Sequence, residues 1–302
     1  VSGHVSARAA DALGLKPGTP VVGGGGDQAA GGIGSGIVKP GLVSSSLGTS
    51  GVVFAFADSP FVDDKLRTHT FCHAVSGKWH VMGVVLSAGG SLRWYRDTFC
   101  EDEKRAAAER GVDPYELITA SAKDIPPGAD GLFFLPYLSG ERTPYPDPCA
   151  RGVFFGATLK HTKAHFARAV LEGVGFAMAD SFSIMRGMGI DATQARVMGG
   201  GARSTVWTQI LADITGCPHV TLNVDEGPAY GVALLAGVSQ GVWGSIEEAC
   251  SAALVPVRTV SPDAAASGAY QGLHEFSPSL YGSLKERFAA LNDISRMGAA
   301  DG

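Results

Sequence analysis

The sequence predicts an α/β fold with a mixed sheet flanked by helices. Segments typical of strands come first, as hairpins, and later strand segments alternate with helices. Hairpins join antiparallel strands, whereas a strand, a helix and a second strand in succession favour parallel pairing, so one sheet should contain both. No shift of composition marks a linker along the 302 residues. We therefore expect one domain that covers residues 1–302.

The composition is that of a globular protein, with 45% hydrophobic and 18% charged residues. The formal net charge of -5 leaves no basic surface, so nucleic acid is not an expected partner. No apolar run approaches the roughly 18 residues that a membrane span needs, and no signal peptide is visible. The five cysteines include no CxxC pair, which favours reduced thiols and a cytoplasmic location. The chain opens without methionine, so we expect a piece of a longer protein.

The amino-terminal half should contain two helices, a strand that runs into glycines, and two hairpins. Residues 1–15 have the pattern of an amphipathic helix. Residues 21–26 (VVGGGG) are typical of a strand, and residues 27–36 (DQAAGGIGSG) are typical of a helix rich in small residues. The glycine-containing turns 48–51 and 76–78 lie between apolar segments and predict hairpins.

Helices and strands alternate in the second part of the chain. Residues 87–100 carry apolar residues three and four positions apart and predict a helix. A strand is expected at 131–138, before a proline-rich loop, and a longer helix from His161 to Met188. The remaining predicted elements are a strand with a glycine turn at 195–204, a strand at 218–224, a helix at 225–241 and a closing helix at 280–291.

Asp27 follows four consecutive glycines, 23–26. Glycine costs about 0.5–1 kcal/mol relative to alanine inside regular structure, so four in a row indicate a close approach or a tight turn. Ligands bind at the carboxyl ends of strands in open α/β sheets, and a carboxylate there can act as a general base on a substrate hydroxyl. Alternatively, Asp27 caps the helix that begins at Gln28. The glycines favour a functional site, because a cap does not require four of them.

Two further glycine-rich turns are candidate sites for phosphate or nucleotide. The segment SSSLGTSG can aim backbone amides and Thr49 at phosphate oxygens, or it is an ordinary hairpin turn. The segment GGGARS opens a helix, where anions or a nucleotide can bind, or it is a plain turn. Neither is a P-loop. An NAD site is disfavoured because Ser204 stands where GxGxxG needs its last glycine, although Asp225 has the spacing of a ribose-binding acid.

The loop GERTPYPDP carries three charged residues in a proline-stiffened segment. Glu141, Arg142 and Asp147 form either an internal salt bridge or a contact with substrate. His161 and His165 have the i, i+4 spacing of two metal ligands on a helix, but no HExxH motif surrounds them. We therefore expect capping or solvated histidines, and no metal site made of protein side chains.

The order of these motifs is more specific than any one of them. The chain resembles the carboxyl-terminal half of the FGGY family of carbohydrate kinases over essentially its whole length, through GGGGDQAAG, SLGTSGVVFA, SAGGSLRWYRD, FLPYLSGERTPYPDP and GGGARS in succession. Residues 152–172 (GVFFGATLKHTKAHFARAVLE) also resemble the second signature of the family. Ala157 departs from that signature, because the family prefers a larger aliphatic residue there.

The resemblance implies an actin-like ATPase fold, also called ribonuclease H-like, and phosphorylation of a sugar hydroxyl with ATP and Mg²⁺. Within the family the chain resembles the pentulose kinases, so conversion of D-xylulose to D-xylulose 5-phosphate is the expected reaction. Asp27 then corresponds to the catalytic base and, together with Gln28, to a sugar contact. Arg93 departs from the glutamine familiar in glycerol kinases. The positions that correspond to nucleotide contacts are Gly48, Thr49, Gly89, Arg93, Gly200, Gly201 and Ser204.

The resemblance also implies that residues 1–302 are the carboxyl-terminal, nucleotide-binding lobe of a two-lobed enzyme. The amino-terminal lobe, which holds most sugar contacts in the family, is absent from this sequence. We expect the chain to bind nucleotide weakly and to be inactive alone, with the missing lobe as its partner; it can also form a homodimer. The alternatives are another sugar substrate of the family (ribulose, fuculose or glycerol) and a non-catalytic binding or assembly fragment.

Overall fold

The computed structural model describes residues 1–225 and 227–300. Within them the strands are β1 (Gly3–His4), β2 (Pro20–Val21), β3 (Leu42–Leu47), β4 (Gly51–Ala57), β5 (His69–Cys72), β6 (Trp79–Val85), β7 (Phe133–Leu135), β8 (Val153–Phe155), β9 (Gln194–Met198), β10 (His219–Leu222) and β11 (Pro256–Val260). The helices are α1 (Ala7–Leu13), α2 (Asp27–Gly34), α3 (Gly89–Phe99), α4 (Glu101–Arg110), α5 (Pro114–Ser121), α6 (Lys163–Gly187), α7 (Thr205–Thr215), α8 (Gly227–Ser239), α9 (Ile246–Ala253) and α10 (Ala264–Ala300).

A seven-stranded sheet in the order β11-β10-β9-β3-β4-β6-β5 forms the centre of the molecule. β3, β4 and β6 are an antiparallel meander, and their pairing of Leu47 with Gly51 confirms the predicted hairpin turn at 48–51. β9 pairs in parallel with β3, and β10 pairs in parallel with β9. A meander continued by parallel strands beside its first strand is the arrangement of the actin-like, ribonuclease H-like fold. The predicted fold class is therefore confirmed.

Helices cover both faces of this sheet. On one face, α3, α6 and α7 join alternate residues of β3, β4, β6 and β9 in the largest buried cluster, which includes Val43, Val53, Val81, Leu171 and Val197. On the opposite face, α2, α8 and α9 pack with β10 in a second cluster, which includes Ile33, Val220 and Leu234. Strands buried on both faces need apolar or small residues throughout, and β3 (LVSSSL) and β4 (GVVFAFA) have them.

The 25-residue helix α6 runs through the largest cluster. It begins with a capping box in which Nδ1 of His165 accepts the amide of Thr162 at 3.1 Å, which confirms the expected capping role of this histidine. Further along, the Nε of Arg168 lies 2.6 Å from Oε1 of Glu172, and the hydroxyl of Tyr270 donates to the same oxygen at 2.6 Å. Because buried charges need partners, this group of three side chains fixes α10 against α6.

The glycines at 23–26 do not form the predicted strand. β2 ends at Val21 and pairs only with β1, in a separate two-stranded sheet. Glycine has no side chain to pack and weakens a strand, so the extended segment stops where the glycines begin. Asp27 therefore does not follow a strand of the main sheet, and the prediction that it lies at such a strand end is wrong.

Other differences concern where helices begin and end. The first helix is shorter than predicted, because Ser6 caps it and the residues before the cap form β1. The closing helix α10 is longer than the predicted 280–291 and contains Pro278. The predicted helix at 225–241 is α8, and its residue Glu226 lies outside the described residues. Within the described part of the chain, no helix is both long and apolar enough to cross a membrane.

Buried polar groups attach the proline-rich loop after β7 to the end of β6. The amide of Thr143 donates to the carbonyl of Val84 at 3.0 Å, and the Thr143 hydroxyl oxygen accepts the Val84 amide at 3.1 Å. Just after the end of β6, Oε1 of Glu141 accepts the amide of Leu86 at 2.9 Å, and it also accepts that of Arg142 at 2.8 Å. The loop thus continues the hydrogen bonding of β6 beyond the end of β5.

Glu141 is 3% exposed, and its second oxygen, Oε2, has no partner among the described residues. An internal salt bridge, one of the two alternatives for this loop, is wrong: Glu141 accepts backbone amides, and the Asp147 carboxylate accepts the Cys149 amide and the Tyr281 hydroxyl. Burial raises the pKa of Glu141 to about 8, although both amide bonds favour the charged form.

Replacing Glu141 with Gln should stabilise the protein at alkaline pH. The pKa of Glu141 is about 8 in the folded chain against an ordinary value of 4.5, so folding favours the protonated form. The stability this gives is complete below pH 4.5 and is lost as the pH rises toward 8. One pKa unit corresponds to about 1.4 kcal/mol, so Glu141→Gln should gain a few kcal/mol over the wild type between pH 5 and pH 8.

Urea unfolding of both proteins at pH 5, 6.5 and 8 measures this gain. The other buried carboxyl groups titrate in both proteins and cancel in the difference. Equal pH dependence of the free energy of unfolding in the two proteins would contradict the assignment to Glu141.

Candidate functional site

The seven residues predicted to contact nucleotide line a single cleft of about 740 Å³, which we call the glycine cleft. They come from three separate segments: the turn between β3 and β4, the start of α3, and the segment between β9 and α7. These residues are Gly48, Thr49, Gly89, Arg93, Gly200, Gly201 and Ser204. The fold therefore brings together positions that the sequence places far apart.

The first two segments touch through their backbones. The amide of Gly89 donates to the carbonyl of Gly48 at 2.8 Å, and the amide of Gly90 donates to that of Thr49 at 2.9 Å. A Cβ atom at Gly89 would lie 2.5 Å from the Gly48 oxygen, so only glycine permits this approach. No backbone acceptor among the described residues pairs with the amides of Thr49 and Ser50. The turn therefore has amide donors free for a ligand.

The three glycines before α7 differ in what each one permits. Gly199 has a φ of +83°, and a Cβ there would lie 2.9 Å from the Leu47 carbonyl. A Cβ at Gly201 would lie 2.7 Å from Cβ of Leu47 and 2.9 Å from Cζ3 of Trp207, so this glycine serves internal packing. A Cβ at Gly200 would meet no described atom within 4 Å. Gly200 is thus the member of the triplet at which a ligand can come close to the backbone.

Ser204 caps α7. Its Oγ accepts the amide of Trp207 at 3.2 Å, as expected for serine at a helix N-cap. This bond occupies the hydroxyl oxygen, while the hydroxyl hydrogen can still turn toward the cleft. The start of α7 also directs the positive end of the helix dipole toward the cleft, which favours anions there.

Two arginines bring positive charge to the glycine cleft. Arg93 on α3 is exposed and lies on the wall next to the Gly48 turn. Arg203 has a side chain that is 82% exposed and reaches Asp225 only at 4.0 Å. At such exposure an ion pair contributes little, so both guanidinium groups can turn to an anionic ligand.

The remaining wall comes from α5, which the sequence analysis did not connect to any site. Asp113, Tyr115, Glu116 and Thr119 line the cleft there. Asp113 caps α5 by accepting the Tyr115 amide at 2.9 Å, and the Arg96 guanidinium lies 4.7 Å above the Tyr115 ring. The Asp-Pro pair that starts this helix is visible in the sequence, but nothing in it indicates which face of α5 meets the glycine turns.

Asp27 and Gln28 lie outside the glycine cleft, at the start of α2. Gly26 is the N-cap of this helix and Asp27 is its first residue, so the alternative of Asp27 as a cap is wrong. Oδ1 of Asp27 accepts the Gln28 amide at 2.8 Å, and Nε2 of Gln28 lies 3.5 Å from Oδ2 of Asp27. Asp27 is exposed, so its carboxylate can accept a proton from a ligand.

The protein's own packing does not explain the four glycines before Asp27. All four are exposed and none has a positive φ. A Cβ at Gly26 would meet no described atom within 4 Å, and one at Gly24 would meet only a methyl group of Val232 at 3.9 Å. By contrast, Gly34 and Gly231 allow α2, the helix that carries Asp27, to pack backbone to backbone against α8.

The other candidate residues do not form a site. Nδ1 of His161 accepts the amide of Thr158 at 2.9 Å, and no group of three metal-binding side chains occurs among the described residues. Asp225 is exposed and is absent from the cleft lining. The NAD-binding alternative is wrong, because the antiparallel β3–β4–β6 meander is incompatible with the parallel sheet that such a site needs.

Gly201→Ala should destabilise the protein, whereas Gly200→Ala should not. The added methyl group at position 201 would overlap Leu47 and Trp207, while at position 200 it would meet open space. We expect a loss of about 1–3 kcal/mol for Gly201→Ala and a change within about 0.5 kcal/mol for Gly200→Ala. Denaturant unfolding measures both changes, and equal effects of the two substitutions would contradict the packing described for Gly201.

The comparisons with known proteins agree on one family. The family model described as "FGGY family of carbohydrate kinases, C-terminal domain" matches residues 43–240. The xylulose kinase of Escherichia coli (strain K12) is 40% identical over 289 residues, which are 94% of this chain and 56% of that protein. The gluconokinase of Bacillus subtilis (strain 168) is 38% identical over 234 residues, which are 77% of this chain and 45% of that protein.

The solved structure described as a xyloylose kinase from Brucella ovis has a TM-score of 0.82 and 35% identity to this chain, covering 94% of it and 56% of the Brucella chain. The chain thus spans about half the length of the curated relatives it matches. The family model covers more than half of the 302 residues, including every residue of the glycine cleft. The chain belongs to the FGGY family of carbohydrate kinases.

Proposed function

We propose that the glycine cleft binds ATP and that the chain is the nucleotide-binding lobe of a kinase that phosphorylates a pentulose. One observation carries this proposal: the seven positions that correspond to nucleotide contacts in the family all line one cleft. Its volume of about 740 Å³ lies within the usual range for small-molecule sites.

We assign the phosphates and the nucleoside of ATP to different walls of the cleft, according to the groups that each wall presents. The phosphates lie at the turn, where Thr49 and Arg93 line the cleft. The amides of Thr49 and of Ser50, the next residue along the chain, have no backbone acceptor among the described residues. The nucleoside lies against Gly200, where the backbone is open. Phosphate oxygens and water would hold most of the Mg²⁺ coordination, which fits a cleft whose described side chains form no metal cluster. The ion would neutralise charge on the phosphates.

Asp27 is the general base in this proposal. Its exposed carboxylate takes the proton of the sugar hydroxyl, whose oxygen then attacks the γ-phosphorus of ATP. The bond between that phosphorus and the oxygen that bridges it to the β-phosphate breaks, and ADP leaves with the bonding electron pair. Gln28, the next residue on the same helix, contacts the sugar. The open space around Gly24 and Gly26 supports this role, since side chains there would occupy the approach to Asp27.

The names of the relatives support D-xylulose as the substrate. Several relatives that match nearly the whole length of this chain are named xylulose kinases, among them the one from Escherichia coli. A gluconokinase is 38% identical over a shorter segment, so the lobe itself is compatible with more than one sugar. We infer that an amino-terminal lobe, corresponding to the other part of the relatives' length, supplies most sugar contacts and that residues 1–302 alone do not turn over.

Calorimetric titration of the chain with ATP and Mg²⁺ tests the nucleotide site. Wild type and Asp27→Asn should bind with the same affinity, because Asp27 lies outside the cleft. Gly200→Val should weaken binding at least about tenfold, since its side chain would fill the open side of the loop. Gly272→Val, which adds the same side chain in open space on α10, is the matched control. Equal affinities of Gly200→Val and Gly272→Val would contradict the site.

Asp27→Asn should abolish most of the turnover once the amino-terminal half is supplied, either joined to the chain or as a separate protein. Loss of a general base lowers kcat by about 10²–10⁴-fold, whereas the KM for ATP should stay within about twofold. Assays with xylulose, ribulose, fuculose, glycerol and gluconate measure both constants and identify the sugar. A variant with at least half of the wild-type kcat would exclude Asp27 as the base.

A further inference from the structure

Glu141 is buried, does not line the glycine cleft, and lies in a motif to which the proposed mechanism gives no role. Its Oε1 accepts the Leu86 amide at 2.9 Å. Leu86 is the first residue after β6, and two residues later the chain reaches Ala88 and Gly89. These two residues touch the turn at residues 48–51, which we call the phosphate turn. Glu141 is therefore one short backbone segment away from the cleft.

The position of Leu86 in the sheet explains why a side chain is needed there. Amides of alternate residues along a strand point to the same side, so those of Val84 and Leu86 both point away from β4 and beyond the end of β5. The Val84 amide donates to the hydroxyl oxygen of Thr143 at 3.1 Å. β5 pairs with β6 only as far as Met82, so none of the described strands lies beside Leu86 on that side, and the Glu141 carboxyl oxygen accepts its amide instead of a strand carbonyl.

The segment that follows Leu86 forms the contact between two walls of the cleft. The amide of Ala88 donates to the Thr49 carbonyl at 3.0 Å, and that of Gly89 donates to the Gly48 carbonyl at 2.8 Å. These bonds join the turn to the first residues of α3, the helix that carries Arg93.

We propose that Glu141 is a positioning residue for nucleotide binding: its hydrogen bond to Leu86 fixes the segment that places Gly89 against Gly48. The inference rests on the proposed nucleotide site. Glu141 does this at a cost to stability, because its Oε2 is buried with no partner among the described residues.

Three variants separate positioning from general stability. Glu141→Met keeps the length of the side chain but removes the acceptor, whereas Glu141→Gln keeps the acceptor oxygen. Thr143→Val is the matched control, since it removes an acceptor from the Val84 amide in the same loop, one hydrogen-bonded pair further from the cleft. Each protein is measured for ATP affinity by calorimetry and for amide hydrogen exchange at residues 88–90.

Glu141→Met should weaken ATP binding about tenfold, the equivalent of one lost buried hydrogen bond, and should speed exchange at residues 88–90. Glu141→Gln should stay within about twofold of the wild type in both measurements, and so should Thr143→Val, despite its lower stability. The proposal is overturned if Thr143→Val weakens binding as much as Glu141→Met, or if Glu141→Met leaves exchange at residues 88–90 unchanged. If the wild type binds no ATP, the nucleotide site itself fails, and the exchange data alone decide whether Glu141 holds the segment.

Discussion

The contact between the β3–β4 turn and the start of α3 is the constraint on which the glycine cleft depends. The Gly89 amide donates to the Gly48 carbonyl at 2.8 Å, and a Cβ atom at position 89 would lie only 2.5 Å from that oxygen. The sheet produces this contact, because β6 runs antiparallel to β4 and ends opposite Gly51. β9 runs parallel to β3 and ends at the same edge, which brings the Gly199–Gly201 segment to the third wall. This topology requires glycine at positions 89, 199 and 201, where a Cβ atom would come within 3.0 Å of a neighbouring segment.

Behind the cleft, buried polar groups hold these elements in place. The carboxyl group of Glu141 completes the hydrogen bonding at the end of β6, and the Arg168, Glu172 and Tyr270 side chains join α6 to α10. Oε1 of Glu172 accepts three hydrogen bonds, from Arg168, from Tyr270 and from the Gly128 amide, the last at 3.1 Å. One oxygen of Glu141 has no partner in the part of the chain that the structure describes. The first arrangement stabilises the fold, whereas the second gives up stability near the proposed nucleotide site, a common trade in proteins.

The sequence predicted the elements whose signals are local. The hairpin turns at 48–51 and 76–78, the helix α3 and the fold class were all recognised, because turn residues and apolar spacing reflect short-range constraints. The glycines at 23–26 were wrongly predicted to continue a strand. The apolar residues before them do form a strand, but it is only two residues long and belongs to a separate two-stranded sheet. The contribution of α5 and the burial of Glu141 depend on packing between segments far apart in the chain. A single sequence does not contain that information.

The geometry separates the proposed base from the proposed nucleotide site: Asp27 projects from α2, and the glycine cleft lies between α3, α5 and α7. The most direct measurement is a crystal structure of the chain grown with ADP and Mg²⁺. The account predicts that the phosphates lie at the amides of Thr49 and Ser50, with the nucleoside against Gly200. An empty glycine cleft at saturating ADP, or a nucleotide bound elsewhere on the chain, would contradict it.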